Sequence, residues 1–129
     1  MRASRTKSLA MKKADRAFSA YIRRRDEKNG LSQCITCKAW KPWKEMDCGH
    51  FISRRFQATR YDERNANAQC KKCNRFENGN QYEHGKRIDE KYGEGTADSI
   101  LQKSKMICRR KKSDFEWIAR EYKAKLETI

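Results

Sequence analysis

The chain has 129 residues, 38% of them charged and 36% hydrophobic, and it carries a net charge of +15. A chain of this size fits one domain, but so little apolar material leaves a thin core, a deficit that a bound metal would offset. No apolar run reaches the length of a bilayer span, and no apolar segment follows the basic N-terminus as a secretory signal requires, so a cytoplasmic protein without a membrane partner is expected.

The positive excess lies towards the N-terminal side, with 10 basic and 3 acidic residues in positions 1–33. Such a field attracts polyanions, foremost a nucleic-acid backbone; an acidic protein or a membrane surface is the plainer rival. Residues 1–7 show no apolar periodicity and read as a mobile basic arm. From Ser8, a candidate cap, Met11, Ala14, Phe18, Tyr21 and Ile22 recur at helical spacing until Asn29-Gly30 stops the pattern. The other face of that helix presents Arg23, Arg24 and Arg25.

Residues 34–80 form the organising stretch. Cys34/Cys37 and Cys70/Cys73 are two C-x-x-C pairs, the spacing at which four thiolates grip one zinc ion from two tight turns. Three disulfides in a secreted chain are the alternative use of six cysteines, and the missing signal segment argues against it. Cys48 and Cys108 are left over as small apolar residues. Between the pairs, a short strand is expected to run into Asp47-Cys48-Gly49-His50-Phe51, then a loop with Arg54, Arg55, Arg60 and Arg64 around Phe56 and Tyr61. Arginine interleaved with aromatics suits phosphate contact and stacking. Asn65 to Cys70 reads as a second strand, and Lys71 to Asn78 as a short helix ended by Gly79.

Further on, His84 falls on a helical stretch with Tyr82, Ile88 and Tyr92, as a surface or packing residue. Gly93-Glu94-Gly95 breaks that helix, and Thr96 caps another whose apolar residues are Ile100, Leu101 and Ile107. Arg109, Arg110, Lys111 and Lys112 make a basic turn. A last helix is marked by Ser113-x-x-Glu116 as a capping box and by the stripe Phe115, Ile118, Tyr122 and Leu126. These stripes are expected to pack with the first helix onto the metal core; a homodimer contact is the other use. No solenoid-length repeat, phosphate loop or nucleophile elbow occurs.

The order strand, loop, strand, helix, with His50, Asn65 and Asn74 at successive intervals, resembles the HNH endonucleases with their ββα-metal core. More narrowly, MDCGHFISRR and NANAQCKKCNRFENGN, followed by Tyr82 and KYGEG, resemble the NinG (Rap) recombination family of lambdoid phages. That resemblance implies a small α+β protein: a basic arm and helix in 1–33, a zinc-stapled HNH-like core in 34–80, and C-terminal helices in 81–129. It implies a structure-specific endonuclease acting on branched DNA such as Holliday junctions, in the cytoplasm of a bacterial host if the chain is phage-encoded. His50 would be the general base and Asn65 its positioning partner. Asp47, Asn74 and Asn78 would hold a catalytic Mg²⁺ or Mn²⁺ beside the structural zinc. In many HNH enzymes an acid directly precedes the histidine; here Gly49 does, and the acid is Asp47. A non-catalytic zinc ribbon that binds nucleic acid is the alternative from another class, since it needs the cysteines but no oriented base.

Overall fold

The computed structural model describes residues 2–76 and 80–129, with side chains from Arg5 onward except at Phe76. The elements run α1 (Arg2–Arg25), β1 (Leu31–Gln33), β2 (Trp40–Pro42), a 3-10 turn (Trp43–Glu45), β3 (Met46–His50) and α2 (Gln57–Arg60). Then follow β4 (Ala66–Cys70), a π-helical turn (Lys72–Phe76), α3 (Gln81–Tyr92), α4 (Thr96–Ser104) and α5 (Lys112–Glu127). This is a mixed α+β fold with two antiparallel sheets, β1–β2 and β3–β4. No helix among the described residues is long and apolar enough to cross a membrane.

Helix α1 begins at Arg2, so the expected mobile arm is its first turns and Ser8 is not its cap. Arg, Ala and Lys are good helix formers, and nothing in residues 2–7 breaks the turn. The helix ends at Arg25, short of the expected stop, and Asn29 and Gly30 both take positive φ, 52° and 79°, and turn the chain back so that Lys28 bridges Leu31. The stripe Ala10, Ala14, Phe18 and Ile22 is buried against Phe115, Ile118 and Tyr122 of α5, with Tyr61 and Ala66 completing this core. Phe18 meets Tyr61 and Tyr122 edge-on, at centroid distances of 5.4 and 4.9 Å, the geometry that aromatic quadrupoles favour. A second cluster, Ile35, Ile52, Ile88 and Ile100, fixes α3 and α4 beside the segment that follows β3.

The C-terminal helices start and stop differently from the sequence expectation. Helix α5 is entered at Lys111, whose N–H donates to the Asp114 carboxylate at 2.7 Å, so Ser113 lies inside the first turn. Asp114 stands three residues on, where a carboxylate reaches back to the cap. Thr96 is the first residue of α4, after Gly95 as its cap. That helix ends at Ser104, whose hydroxyl donates back to the Leu101 carbonyl and competes with continuation. Ile107, expected in its apolar stripe, therefore lies outside the helix and is 86% exposed. His84 is fully buried on α3, where its Nε2 faces the Asn67 amide nitrogen at 3.2 Å.

Candidate metal centre and cleft

The first cysteine pair sits in the turn between β1 and β2. Cys34 N–H donates to the Ala39 carbonyl at 2.8 Å and Lys38 N–H to the Cys34 carbonyl at 3.0 Å. Lys38 takes a φ of 68° to close that knuckle. Ile35 N–H then donates to the Ala68 carbonyl at 2.9 Å, tying the knuckle to β4, whose last residue is Cys70. Cys73 follows one turn later. The four sulfurs lie within 4.8 Å of one another, and Cys37 Sγ is 3.7 Å from Cys70 Sγ. A tetrahedral zinc with Zn–S bonds of about 2.3 Å sets its sulfurs about 3.8 Å apart, so the donor set fits that ion.

The thiols need such a charge. Burial raises the Cys34 pKa, but the Thr36 hydroxyl and neighbouring backbone N–H groups outweigh it and bring the thiol down to about 6. Cys73, in contrast, is pushed up to about 12 by burial together with the Cys70 and Cys34 sulfurs, against the opposing Thr36 hydroxyl. A dication relieves this crowding of thiolates, and structural zinc sites gain their folding energy in this way.

Sheet β3–β4 joins the cysteine cluster to a second site. Its register sets Met46 opposite Cys70, Asp47 opposite Gln69 and His50 opposite Ala66. Leaving β4 at Cys70, the chain turns back over the start of β3, which brings Asn74 and Arg75 to Asp47. Asn74 Nδ2 donates to Asp47 Oδ2 at 3.0 Å, while Arg75 Nε and Nη2 take Oδ2 and Oδ1 at 2.9 and 3.0 Å. Burial pulls the Asp47 pKa up, but these donors outweigh it and hold the carboxyl below 3.8. The turn that carries them is π-helical, a local widening frequent at functional sites.

A cleft of about 510 Å³ gathers Asp47, Cys48, His50, Arg54, Asn74 and Arg75, closed by Asp15, Phe18 and Ser19 of α1. His50 Nε2 lies 2.9 Å from the Arg60 carbonyl. A carbonyl only accepts, so Nε2 carries the proton and Nδ1 keeps the lone pair. Burial lowers the His50 pKa below 6.5; the Arg60 carbonyl opposes this, and the Arg54 and Arg60 charges add to it. A pKa shifted in this direction favours the neutral ring, with its lone pair on Nδ1. Cys48, by comparison, is driven up to about 12 by burial and stays an inert thiol.

Asn65 does not touch the His50 ring. Its Oδ1 accepts from Ile52 N–H at 2.8 Å, and its Nδ2 donates to the Ile52 and Thr59 carbonyls at 3.0 Å each. It bonds Ile52 and Thr59 at the two ends of the loop that leads to Arg60, whose carbonyl accepts the hydrogen bond from His50 Nε2–H. It therefore acts on the ring only through backbone. A Cβ at Gly49 would stand 1.9 Å from Gln69 Oε1, so an aspartate directly before the histidine would require the buried Gln69 side chain to move. Asn78, expected as a third ion ligand, lies outside the described residues.

One family comparison bears on the whole chain: the model described as bacteriophage lambda NinG protein matches residues 1–129. The chain belongs to the NinG family. No curated protein and no solved structure matches it.

In this NinG-family chain the basic residues divide into two groups. Arg25 is turned inward, with Nη1 on the Glu63 carbonyl at 2.7 Å and Nη2 on Asn67 Oδ1 at 2.9 Å. Arg60 is likewise buried and holds both oxygens of Asp15, whose Oδ1 also accepts from Tyr61 Oη at 2.7 Å. Arg64 pairs with Asp62 at 3.2 Å. These three brace the protein. Arg23 and Arg24 lie over the Trp43 ring, at 4.8 and 5.4 Å. Arg54, Arg55, Arg109, Lys111 and Lys112 are exposed. Arg109 and Arg110 line a groove of about 440 Å³ with Tyr61 and Trp117.

Sequence reasoning passed over Asp15 and Arg75. Asp15 had a signal, being the only acid among the first 25 residues and lying on the apolar side of α1. Arg75 had none, because its role depends on how the chain folds back after Cys73.

Proposed function

We propose that the chain is a metal-dependent DNA endonuclease that hydrolyses phosphodiester bonds in branched DNA. The observation that carries this reading is the cleft in which an unprotonated His50 shares one space with Asp47, Asn74 and two arginines. A zinc ribbon has no use for such a histidine. The strand, loop, strand and helical turn bearing His50, Asn65 and Asn74 also follow the order of an HNH core.

His50 Nδ1 takes the proton of the attacking water, while Nε2 stays committed to the Arg60 carbonyl and keeps the ring from turning. Asn65 holds the loop that supplies this carbonyl. Arg54, with its side chain 60% exposed at the cleft, neutralises the phosphate as it gains charge. Asp47 and Asn74 offer one carboxylate and one carboxamide, a partial set of hard oxygen donors of the kind Mg²⁺ or Mn²⁺ completes with water and substrate phosphate. Such an ion, when bound, stabilises the leaving oxygen. The remaining exposed cations, on α1, the Arg54-Arg55 loop and the Arg109–Lys112 segment, are separated, and a branched substrate offers phosphates along several tracks where a linear duplex offers one.

A cleavage assay on four-way and linear DNA of equal length, with and without Mg²⁺, tests this. Mg²⁺-dependent cutting of the branched substrate is expected; protein that binds DNA and cuts neither substrate would leave a binding module.

A further inference from the structure

Between α4 and α5 the chain exposes two consecutive large apolar residues. Ile107 is 86% and Met106 66% exposed, and Ile107 is the most exposed of the large hydrophobic residues described. Neither covers a core. Residues 103–112 around them contain six basic residues and no acid. Among the described residues, no ion pair holds Lys105, Arg109, Lys111 or Lys112, all of which are exposed.

The loop is firmly held at its base. Lys103 Nζ donates to Asp62 Oδ2 at 2.8 Å on one side of the tip. On the other, Arg110 Nη1 donates to the Gln57 carbonyl at 2.6 Å, and its guanidinium lies 5.0 Å from the Tyr61 ring centre. Gln57 and Tyr61 bracket Arg60, whose carbonyl orients His50. The apolar tip is thus fixed relative to the cleft, and cations flank it on both sides.

We propose that Met106 and Ile107 form a wedge that enters the base stack at the branch point of DNA while the flanking cations hold the adjoining phosphates. Exposed aliphatic side chains between phosphate-binding residues are the means by which proteins part base steps. A branch point is already partly unstacked there, so the wedge gains apolar contact without the full cost of opening a duplex. The charge complementarity favours DNA; a membrane-surface anchor would need a broad apolar helix face, whereas this tip has two side chains. The inference rests on the branched-DNA reading above and adds the residues that would recognise the branch.

The test uses the full chain in the His50→Ala background, so that no cutting disturbs binding. It compares that parent with Met106→Ala/Ile107→Ala and with Arg109→Ala on a four-way junction carrying 2-aminopurine at the branch, and on linear duplex. The apolar double substitution is expected to weaken junction binding roughly tenfold, to abolish the 2-aminopurine signal, and to leave duplex affinity and the salt slope unchanged. Arg109→Ala should weaken both substrates and lower the salt slope by about one. Because neither residue belongs to a core cluster, equal melting temperatures are expected and separate binding from folding. Unchanged junction affinity and fluorescence in the double variant would overturn the wedge, even if the His50 protein cuts junctions. Conversely, a protein that never cuts but gives an Ile107-dependent signal would keep the wedge and remove the nuclease. If the substitution instead abolishes pelleting with phosphatidylserine vesicles, or self-association, and spares DNA binding, the wedge is also overturned.

Discussion

Arg75 grips both carboxylate oxygens of Asp47, at 2.9 and 3.0 Å, where the carboxylate of the proposed ion site stands. A guanidinium and a divalent ion compete for the same two oxygens. Arg75→Ala should therefore raise the affinity of the protein for Mn²⁺ severalfold, read by calorimetry or by loss of the free-ion electron paramagnetic resonance signal. The Arg75 side chain is 57% exposed, so the pair adds less than about 1 kcal/mol to stability, and the melting temperature should hardly move. Equal or weaker Mn²⁺ binding would show that Asp47 is not an ion ligand.

The charge state of His50 gives the proposed reaction a pH signature. The ring must be neutral to accept a proton, and its pKa lies below 6.5 because of burial and the Arg54 and Arg60 charges. Cleavage rate should rise with pH through a midpoint below 6.5 and then level off. Arg54→Gln removes one of the depressing charges and should move the midpoint upward. A midpoint that stays put would mean that another group limits the rate.

If the four-cysteine cluster holds zinc, Cys73→Ser should release the metal and unfold much of the core, since structural zinc supplies on the order of ten kcal/mol in small domains. Cys108→Ser should leave zinc content and melting unchanged. Elemental analysis beside thermal melts reads both. A Cys73→Ser protein that keeps one zinc per chain would contradict the four-thiolate assignment.

Buried His84 makes a separate acid sensitivity. Burial holds its pKa at about 4, against 6.5 when exposed. The unfolded chain therefore takes up the proton first as pH falls. The stability that depends on neutral His84 is complete above pH 6.5, drains away towards pH 4, and amounts to about 3 kcal/mol. Denaturant midpoints measured from pH 7 to 4 should fall along this window, and His84→Phe should flatten the fall. An unchanged slope in that variant would assign the acid loss to other groups.

Much of this architecture was legible in the sequence because its signals are local. Two C-x-x-C pairs specify a four-sulfur site wherever the chain brings them together, and Asn29-Gly30 can do little other than turn. The stripes of α1 and α5 predicted their packing for the same reason, since periodicity records which face is buried. Terminal details were not legible: Ser8 and Ser113 are good caps, yet helix-compatible residues before them continued the turn. Sequence also could not sort the arginines. Arg25 and Arg60 look like phosphate contacts until the fold brings the Glu63 carbonyl, Asn67 and Asp15 beside them, at distances in sequence that no local pattern spans. That Asn65 binds the backbone of Ile52 and Thr59 was likewise hidden, because it depends on the loop between β3 and β4.

The most direct test of the proposed nuclease is single-turnover cleavage of a labelled four-way junction by the parent protein and by His50→Ala, with zinc content, melting and junction affinity measured on both. The geometry of His50 predicts that the substitution lowers the rate by a factor on the order of 10²–10⁴, the usual contribution of a general base, while zinc, folding and affinity stay as they were. A His50→Ala protein that cuts as fast as the parent would contradict it.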